Sequence, residues 1–114
     1  MSMAITPRRF DDVVVLDLSG RITIGEGTLM LRDRIQKMLE GGETKFLLNL
    51  SDVDYIDSSG LGELVSSFTT VKSQGGTLKL LSLTRRVRDL MQITKLLTVF
   101  DVYDSEPEAL KSFR

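Results

Sequence analysis

Apolar and polar positions recur along the chain with two different periods, and these periods predict the type and order of its elements. Alternating or continuous apolar runs predict strands over 4–10, 13–18, 45–50, 77–83 and 99–103. Apolar positions three or four residues apart predict helices over 28–40 and 58–74, from 84 and from 105. Strands that alternate with helices favour parallel pairing, while the tight turn at Asp11-Asp12 makes the first pair antiparallel. The predicted fold class is therefore α/β, a single domain over 1–114 with a mixed, mostly parallel sheet of about five strands and about four helices.

Glycine and capping residues mark the predicted boundaries of these elements. The second strand is expected to end at Ser19-Gly20, with a glycine-rich loop over 21–28 before the first helix. Thr84 is placed to cap the third helix. The stretch Ser105-Glu106-Pro107-Glu108 has the form of a capping box and opens the fourth helix.

The stretch between the third strand and the central helix, Asp57-Ser58-Ser59-Gly60, carries the most informative chemistry. It puts a hydroxyl at a helix N-terminus, where unpaired backbone N–H groups and partial positive charge would receive a phosphate well. No Lys or Arg occurs between Lys45 and Lys72. The acidic residues of this segment are Asp52, Asp54, Asp57 and Glu63. The sequence therefore predicts an acidic surface with a hydroxyl at its centre.

Several residues of this stretch have more than one interpretation. Gly60 and Gly62 fall in the first turns of the predicted helix, where each costs about 1 kcal/mol relative to alanine. Either a neighbouring element of the fold approaches them closely or they relax the turn itself, or else a partner backbone or a phosphoryl group must come close. Ser59 is expected to be structural, through a hydrogen bond to the turn. Asp57 either caps the helix or helps to position Ser58 for recognition.

Composition excludes several classes of function. With 15 basic and 16 acidic residues, the chain lacks the basic excess typical of nucleic-acid binders. It contains no cysteine and no histidine, the residues most used as thiolate ligands, metal ligands and general bases, so no metal site or cofactor is predicted. Its apolar runs are too short to span a bilayer and no export signal opens it, so we expect a cytoplasmic protein without direct membrane insertion.

An enzymatic function is not expected. Ser58 has no histidine to activate it, and the Gly-x-Ser-x-Gly elbow is absent. There is no Walker A loop, and Gly25-Glu26-Gly27 begins a dinucleotide-binding pattern in which Met30 replaces the third glycine.

The hexapeptide Asp57-Ser58-Ser59-Gly60-Leu61-Gly62, after a Leu-Asn-Leu strand, resembles the signature of STAS domains, in particular bacterial anti-sigma factor antagonists. The resemblance extends to Leu18-Ser19-Gly20, to the turn at Gly75-Gly76, and to the helix opening Thr84-Arg85-Arg86-Val87. It therefore covers nearly the whole chain and implies a STAS-like fold.

The resemblance implies a phosphorylation-switched binding module that regulates transcription. Ser58 would be phosphorylated by an anti-sigma factor serine kinase, an ATP-binding protein with a histidine-kinase-like fold. Only the unphosphorylated antagonist would bind this kinase and so release the sigma factor, and a serine phosphatase of the PP2C type would be a further partner. The residues expected to contact the partner are Asp57, Ser59, Gly60, Leu61, Gly62, Ile22 and Thr23. The Ile22-Thr23-Ile24 segment could equally belong to the edge of the core.

Two alternatives remain open from the sequence. The chain could be a STAS scaffold or regulatory subunit of a larger assembly, such as a stress-signalling complex or a membrane transporter. The basic cluster Thr84-Arg85-Arg86-Val87-Arg88 could be a solvated helix face, or it could meet an anionic ligand or an acidic partner.

Overall fold

The computed structural model describes residues 3–114 and contains one five-stranded sheet covered by helices on both faces. The strands are β1 (Met3–Phe10), β2 (Val13–Ile22), β3 (Lys45–Ile56), β4 (Thr77–Leu81) and β5 (Val102–Tyr103). The helices are α1 (Glu26–Glu40), α2 (Ser58–Ser73), α3 (Arg85–Ile93) and α4 (Glu106–Lys111). The strands lie in the order β1-β2-β3-β4-β5, with β1 antiparallel to β2 and all other neighbours parallel. The predicted α/β fold with a mixed, mostly parallel sheet is thus confirmed.

The connections between the parallel strands decide which face each helix covers. Each crossover moves one strand further in the same direction, so right-handed crossovers put α1, α2 and α3 on one face of the sheet. On that face the inward side chains of β2, Val14 and Leu16 among them, join the larger core cluster. The alternate residues Val13 and Val15 point to the other face and pack with Ala109 of α4.

The two central strands are longer than predicted, which corrects two boundaries. β2 continues through Ser19-Gly20 to Ile22, with register irregularities on either side of Gly20, whose φ is +92°. β3 continues from Leu50 to Ile56 because the extended part of β2 pairs with it. β4 pairs with β3 only as far as Asn49, so β2 and β3 project together beyond the rest of the sheet. The 57–60 turn sits at the end of this projection.

The glycine-rich loop is shorter than predicted, because α1 begins at Glu26. Gly25 precedes the helix with a φ of +96°, a conformation that favours glycine. A Cβ on Gly27 would lie 2.9 Å from the carbonyl oxygen of Arg21. Both glycines therefore let α1 start immediately beside β2, which brings its first turn to the projecting end of the sheet.

Two predicted helix caps are present. The hydroxyl of Thr84 accepts a hydrogen bond from the backbone N–H of Val87 at 3.3 Å. The hydroxyl of Ser105 accepts one from the N–H of Glu108 at 3.4 Å.

The final strand, predicted over 99–103, is limited to Val102–Tyr103. Among residues 3–114, no helix combines the length and the apolar character needed to cross a membrane.

Candidate functional site

Asp57 joins the two loops at the projecting end of the sheet. Its Oδ1 accepts a hydrogen bond from the N–H of Gly60 at 2.7 Å, and its Oδ2 accepts one from the N–H of Ile24 at 3.0 Å. Its own N–H donates to the carbonyl of Ile22 at 3.3 Å. The N–H groups of Ile24 and then Gly60 hold the pKa of Asp57 below its usual range, because they favour the charged carboxylate. The capping role is therefore present, and the same side chain also fixes the β2–α1 loop against α2.

Ser58 is the first residue of α2 and its side chain is exposed. It follows Asp57, whose φ of −98° and ψ of −177° are those of an extended N-cap residue. The hydroxyl thus lies at the mouth of a 16-residue helix, where another protein can reach it. Chemically, this arrangement offers an accessible oxygen beside the positive end of a helix dipole.

The two glycines of the first turns have different surroundings. A Cβ on Gly60 would lie 2.0 Å from the carbonyl oxygen of Ile22 and 2.8 Å from its carbonyl carbon. Gly60 is therefore required by the fold itself, which resolves that alternative in favour of close packing. A Cβ on Gly62 would meet nothing within 4 Å, and this residue is exposed. Of these two glycines, Gly62 is the one that leaves open space on the surface of α2.

The buried residues of the predicted partner set require a correction. Ile22 is fully buried and Leu61 nearly so, and both belong to the main core cluster. Their side chains hold the 57–60 turn from inside and are not available for partner contact. Thr23 remains half-buried, while Ile24, the other residue of that segment, is 75% exposed. The periodicity gave no signal for this division, because both isoleucines lie at the boundary between a strand and a loop.

A second exposed apolar residue was missed by the sequence reasoning. Leu29 lies in the first turns of α1 and is 55% exposed, and its N–H donates to the carbonyl of Gly25 at 3.0 Å. The sequence could have indicated this exposure, because Leu29 lies outside the apolar helix face formed by Leu31 and Ile35, which are both buried. Ile24 and Leu29 therefore add apolar surface to the loop and helix that Asp57 holds beside Ser58.

The predicted acidic surface is also corrected. Glu63 is only 4% exposed, because it faces α1 and not the solvent. Its Oε1 accepts hydrogen bonds from Nη2 and Nε of Arg32 at 2.9 and 3.0 Å, and its Oε2 accepts one from the hydroxyl of Ser67 at 3.2 Å. The parallel register also brings Arg21 beside Tyr55, with its guanidinium 5.0 Å from the ring centroid. The surface around Ser58 is thus less acidic than the local sequence indicates.

Ser59 is half-buried, and its backbone N–H contributes to lowering the pKa of Asp57. The hydrogen bond to the turn that we expected of Ser59 is therefore made by its backbone, and within residues 3–114 its hydroxyl makes none. Over the same residues, no three carboxylates come together as a metal site would require.

Comparison with known proteins identifies the family. The STAS domain family model matches residues 4–109. A protein of Thermotoga neapolitana, named as an anti-sigma factor antagonist, is 37% identical over 101 residues, which cover 89% of each chain. The crystal structure of a Thermotoga maritima protein, also named as an anti-sigma factor antagonist, has a TM-score of 0.87 and 30% identity, covering 95% of this chain and 92% of that one.

A more distant likeness concerns the fold alone. The Bacillus cell fate determinant SpoIIAA, solved in its phosphorylated form, has a TM-score of 0.75 at 22% identity, covering 97% of this chain and all of that one. The same protein has also been solved in its unphosphorylated form. From the family match over residues 4–109 and the relatives that share most of its length, the chain belongs to the STAS domain family, alongside proteins named as anti-sigma factor antagonists.

Proposed function

We propose that this protein is an anti-sigma factor antagonist whose binding is switched off by phosphorylation of Ser58. In its unphosphorylated form it binds an anti-sigma factor serine kinase with an ATP-binding, histidine-kinase-like fold, and this binding releases a sigma factor. A serine phosphatase of the PP2C type restores the unphosphorylated form. The observation that carries the proposal is the exposed hydroxyl of Ser58 on the first residue of α2, next to the capping carboxylate of Asp57. The names of the relatives and the two solved forms of SpoIIAA are consistent with it.

The contacts of Asp57 support a mechanism for the proposed switch. The N–H groups of Ile24 and Gly60 are already bonded to its carboxylate, so a phosphoryl group on Ser58 does not find them free. Phosphorylation adds nearly two negative charges and three acceptor oxygens beside that carboxylate. The added charge therefore remains on the surface, where it opposes the docking of a partner and leaves the fold of the domain unchanged.

The partner surface that we propose surrounds this hydroxyl. It consists of the accessible members of the predicted set, Asp57, Ser59, Gly62 and Thr23, extended by the exposed side chains of Ile24 and Leu29. A partner that covers the exposed apolar side chains of Ile24 and Leu29 together with Ser58 would exclude water from the modified oxygen. Placing a phosphoryl group there carries a desolvation cost, and a loss of about 3 kcal/mol weakens binding more than a hundredfold.

Binding measurements on serine variants test the switch. The anti-sigma factor that copurifies with the wild-type protein in its native cells is isolated, and its affinity is measured by calorimetry. Ser58→Ala should bind as the wild type does, and Ser58→Asp should bind at least about tenfold more weakly, since one carboxylate supplies part of the charge of a phosphate. Ser66→Asp is the matched control, because Ser66 is exposed on the same helix two turns away. Equal weakening by both aspartates, or tight binding of Ser58→Asp, would contradict the proposal.

Incubation of the same pair with ATP tests the modification. Mass spectrometry should locate one phosphate on Ser58, the modification should be lost in Ser58→Ala and retained in Ser59→Ala, and a PP2C-type phosphatase should remove it. A phosphate found on Ser59 alone would refute the assignment of the acceptor.

A further inference from the structure

A groove opens where β2 and β3 project beyond β4. β4 ends at Leu81, so the far half of β3 pairs with β2 on one edge but has no strand on its other edge, where α3 lies instead. Two adjoining cavities of about 520 and 580 Å³ lie between β3 and α3. Tyr55 and Arg86 line both cavities. The first also reaches Arg21, and the second reaches Ile93 at the far end of α3. We call this feature the arginine groove, defined by Arg21, Tyr55, Arg85, Arg86, Leu90 and Ile93.

Within the described part of the chain, the three arginines of the groove have no ion-pair partner. Arg8, Arg9, Arg32 and Arg88 each lie within 4.0 Å of a carboxylate. Within residues 3–114, Arg21, Arg85 and Arg86 make no such pair, and the contact of Arg21 is with the face of Tyr55. Asp54 and Asp89 also line the cavities, so the groove carries three positive and two negative charges. It is net positive in a chain whose net charge is −1.

The remaining wall of the groove is apolar. Ile93 is 78% exposed, and Leu90 beside it is half-buried. Both residues lie on α3, so they line the groove together with the two arginines that open this helix. The groove thus presents an exposed isoleucine and guanidinium groups together, which suits a partner that offers both apolar and acidic side chains.

We propose that the arginine groove binds an acidic, partly apolar segment of a partner protein. Carboxylates of the segment would pair with Arg21 and Arg86, since guanidinium groups bind carboxylates through two parallel hydrogen bonds. Its apolar side chains would cover Ile93 and Leu90. A nucleic acid fits less well, because its phosphate backbone offers no apolar side chain to cover Ile93 and Leu90. This binding requires neither the hydroxyl of Ser58 nor its modification.

Nuclear magnetic resonance titration tests the groove without knowledge of the natural partner. The probe is an acetylated, amidated 12-residue peptide in which Glu alternates with Leu, added to the ¹⁵N-labelled protein. Amide shifts should change at Tyr55, Arg86 and Ile93, and added salt should weaken the binding. The Arg21→Glu/Arg86→Glu double variant should raise the Kd at least tenfold, and Ile93→Ser about threefold. The same peptide with Lys in place of Glu should produce no shifts in the groove.

Matched controls decide between the outcomes. Lys37→Glu/Lys111→Glu makes the same change in net charge on the exposed surfaces of α1 and α4 and should leave the Kd unchanged. If a charge-reversed protein loses its dispersed spectrum, Arg21→Gln/Arg86→Gln replaces it. Shifts outside the groove, or equal weakening in the control, would overturn the proposal. So would inorganic phosphate that displaces the peptide while Ile93→Ser has no effect, because the groove would then be a site for small anions.

Discussion

Two carboxylates of this protein, Asp57 and Asp17, have lowered pKa values for different reasons. Asp57 accepts hydrogen bonds from the backbone N–H groups of Ile24 and Gly60, which are neutral donors. Asp17 lies on β2 and bonds first to the guanidinium of Arg8, at 2.6 and 3.0 Å, and then to the amide of Asn49 at 2.9 Å. Asp57 therefore fixes backbone segments, whereas Asp17 holds polar and charged side chains together.

The difference has consequences for what each carboxylate holds together. Arg8 also forms two hydrogen bonds to Glu106, at 2.8 and 3.1 Å, so the Asp17 cluster (Arg8, Asp17, Asn49 and Glu106) ties β1, β2 and β3 to α4. This cluster stabilises the face of the sheet that α4 covers. The Asp57 cluster (Asp57, Ile24 and Gly60) instead sets the path of two loops around Ser58. Changes in the first should affect stability, and changes in the second should affect the geometry of the site as well.

The largest expected effect comes from the close backbone approach in the Asp57 cluster. Gly60→Ala puts a Cβ 2.0 Å from the carbonyl oxygen of Ile22, which is backbone and has little room to move. We expect it to lower the free energy of unfolding by about 3 kcal/mol or more. Urea unfolding followed by circular dichroism measures the loss.

Gly62→Ala is the control for this prediction. Its Cβ meets nothing within 4 Å, so alanine should be neutral or stabilise α2 by up to about 1 kcal/mol. Equal destabilisation by both substitutions would mean that the close approach of the Ile22 carbonyl is not what requires glycine at position 60.

A smaller effect is expected from breaking the Asp17 cluster. Arg8→Met keeps much of the aliphatic stem but removes the guanidinium that bridges Asp17 and Glu106. These side chains are about one third exposed, so solvent screening limits the expected loss to about 1–2 kcal/mol.

Lys37→Met is the matched control for Arg8→Met, because the pair of Lys37 with Asp33 is solvent-exposed and within one helix. It should cost less than about 0.5 kcal/mol. Neither variant should alter binding of the anti-sigma factor. A clear loss of affinity in Arg8→Met at unchanged fold would show that the two clusters are coupled.

Removing the helix cap at Asp57 should lower the free energy of unfolding by a similar or smaller amount than Arg8→Met. Asp57→Ala leaves the N–H groups of Ile24 and Gly60 without their acceptor, and we expect a loss of about 1 kcal/mol. Asp57→Asn should keep most of the stability, because asparagine also caps helices well. Chemical denaturation of both variants measures the difference in their free energies of unfolding. Equal destabilisation of the two variants would mean that the stability depends on the charge of Asp57 and not on its hydrogen bonds.

The fold was more predictable from the sequence than the surface of the site. Apolar spacing identified α2, since Leu61, Leu64 and Val71 are all buried in the core. The end of β3 was not predictable, because Asp52 is polar and exposed and is held extended by pairing with Ser19 of β2. Strand pairing between distant segments overrides such local signals.

Single side chains near Ser58 were harder to place for a similar reason. A glutamate on a helix ordinarily faces water, and nothing local to Glu63 indicates that Arg32 on another helix would cover it. Ile22 and Ile24 have the same chemistry, but Ile22 ends β2 with its side chain buried, whereas Ile24 lies in the following loop and is exposed. By contrast, Asp57 and Ser58 were located correctly at the N-terminus of α2, because capping chemistry is read from adjacent residues.

The smallest expected effect, and the most direct test of the comparison, is the pH dependence of the two asparagine variants. A carboxylate whose pKa is lowered on folding stabilises the protein above its unfolded value of about 4, and this stabilisation is lost as the pH falls through the folded value. Asparagine cannot ionise, so Asp17→Asn and Asp57→Asn should each be less stable than the wild type at pH 7, and both deficits should shrink below about pH 4. The deficit at pH 7 should be larger for Asp17→Asn, because its main partner is a cation, whereas Asp57 loses only a charge that neutral N–H groups had stabilised. Urea unfolding at intervals between pH 7 and pH 2.5 measures both curves, and a larger deficit for Asp57→Asn would reverse the distinction between the two clusters.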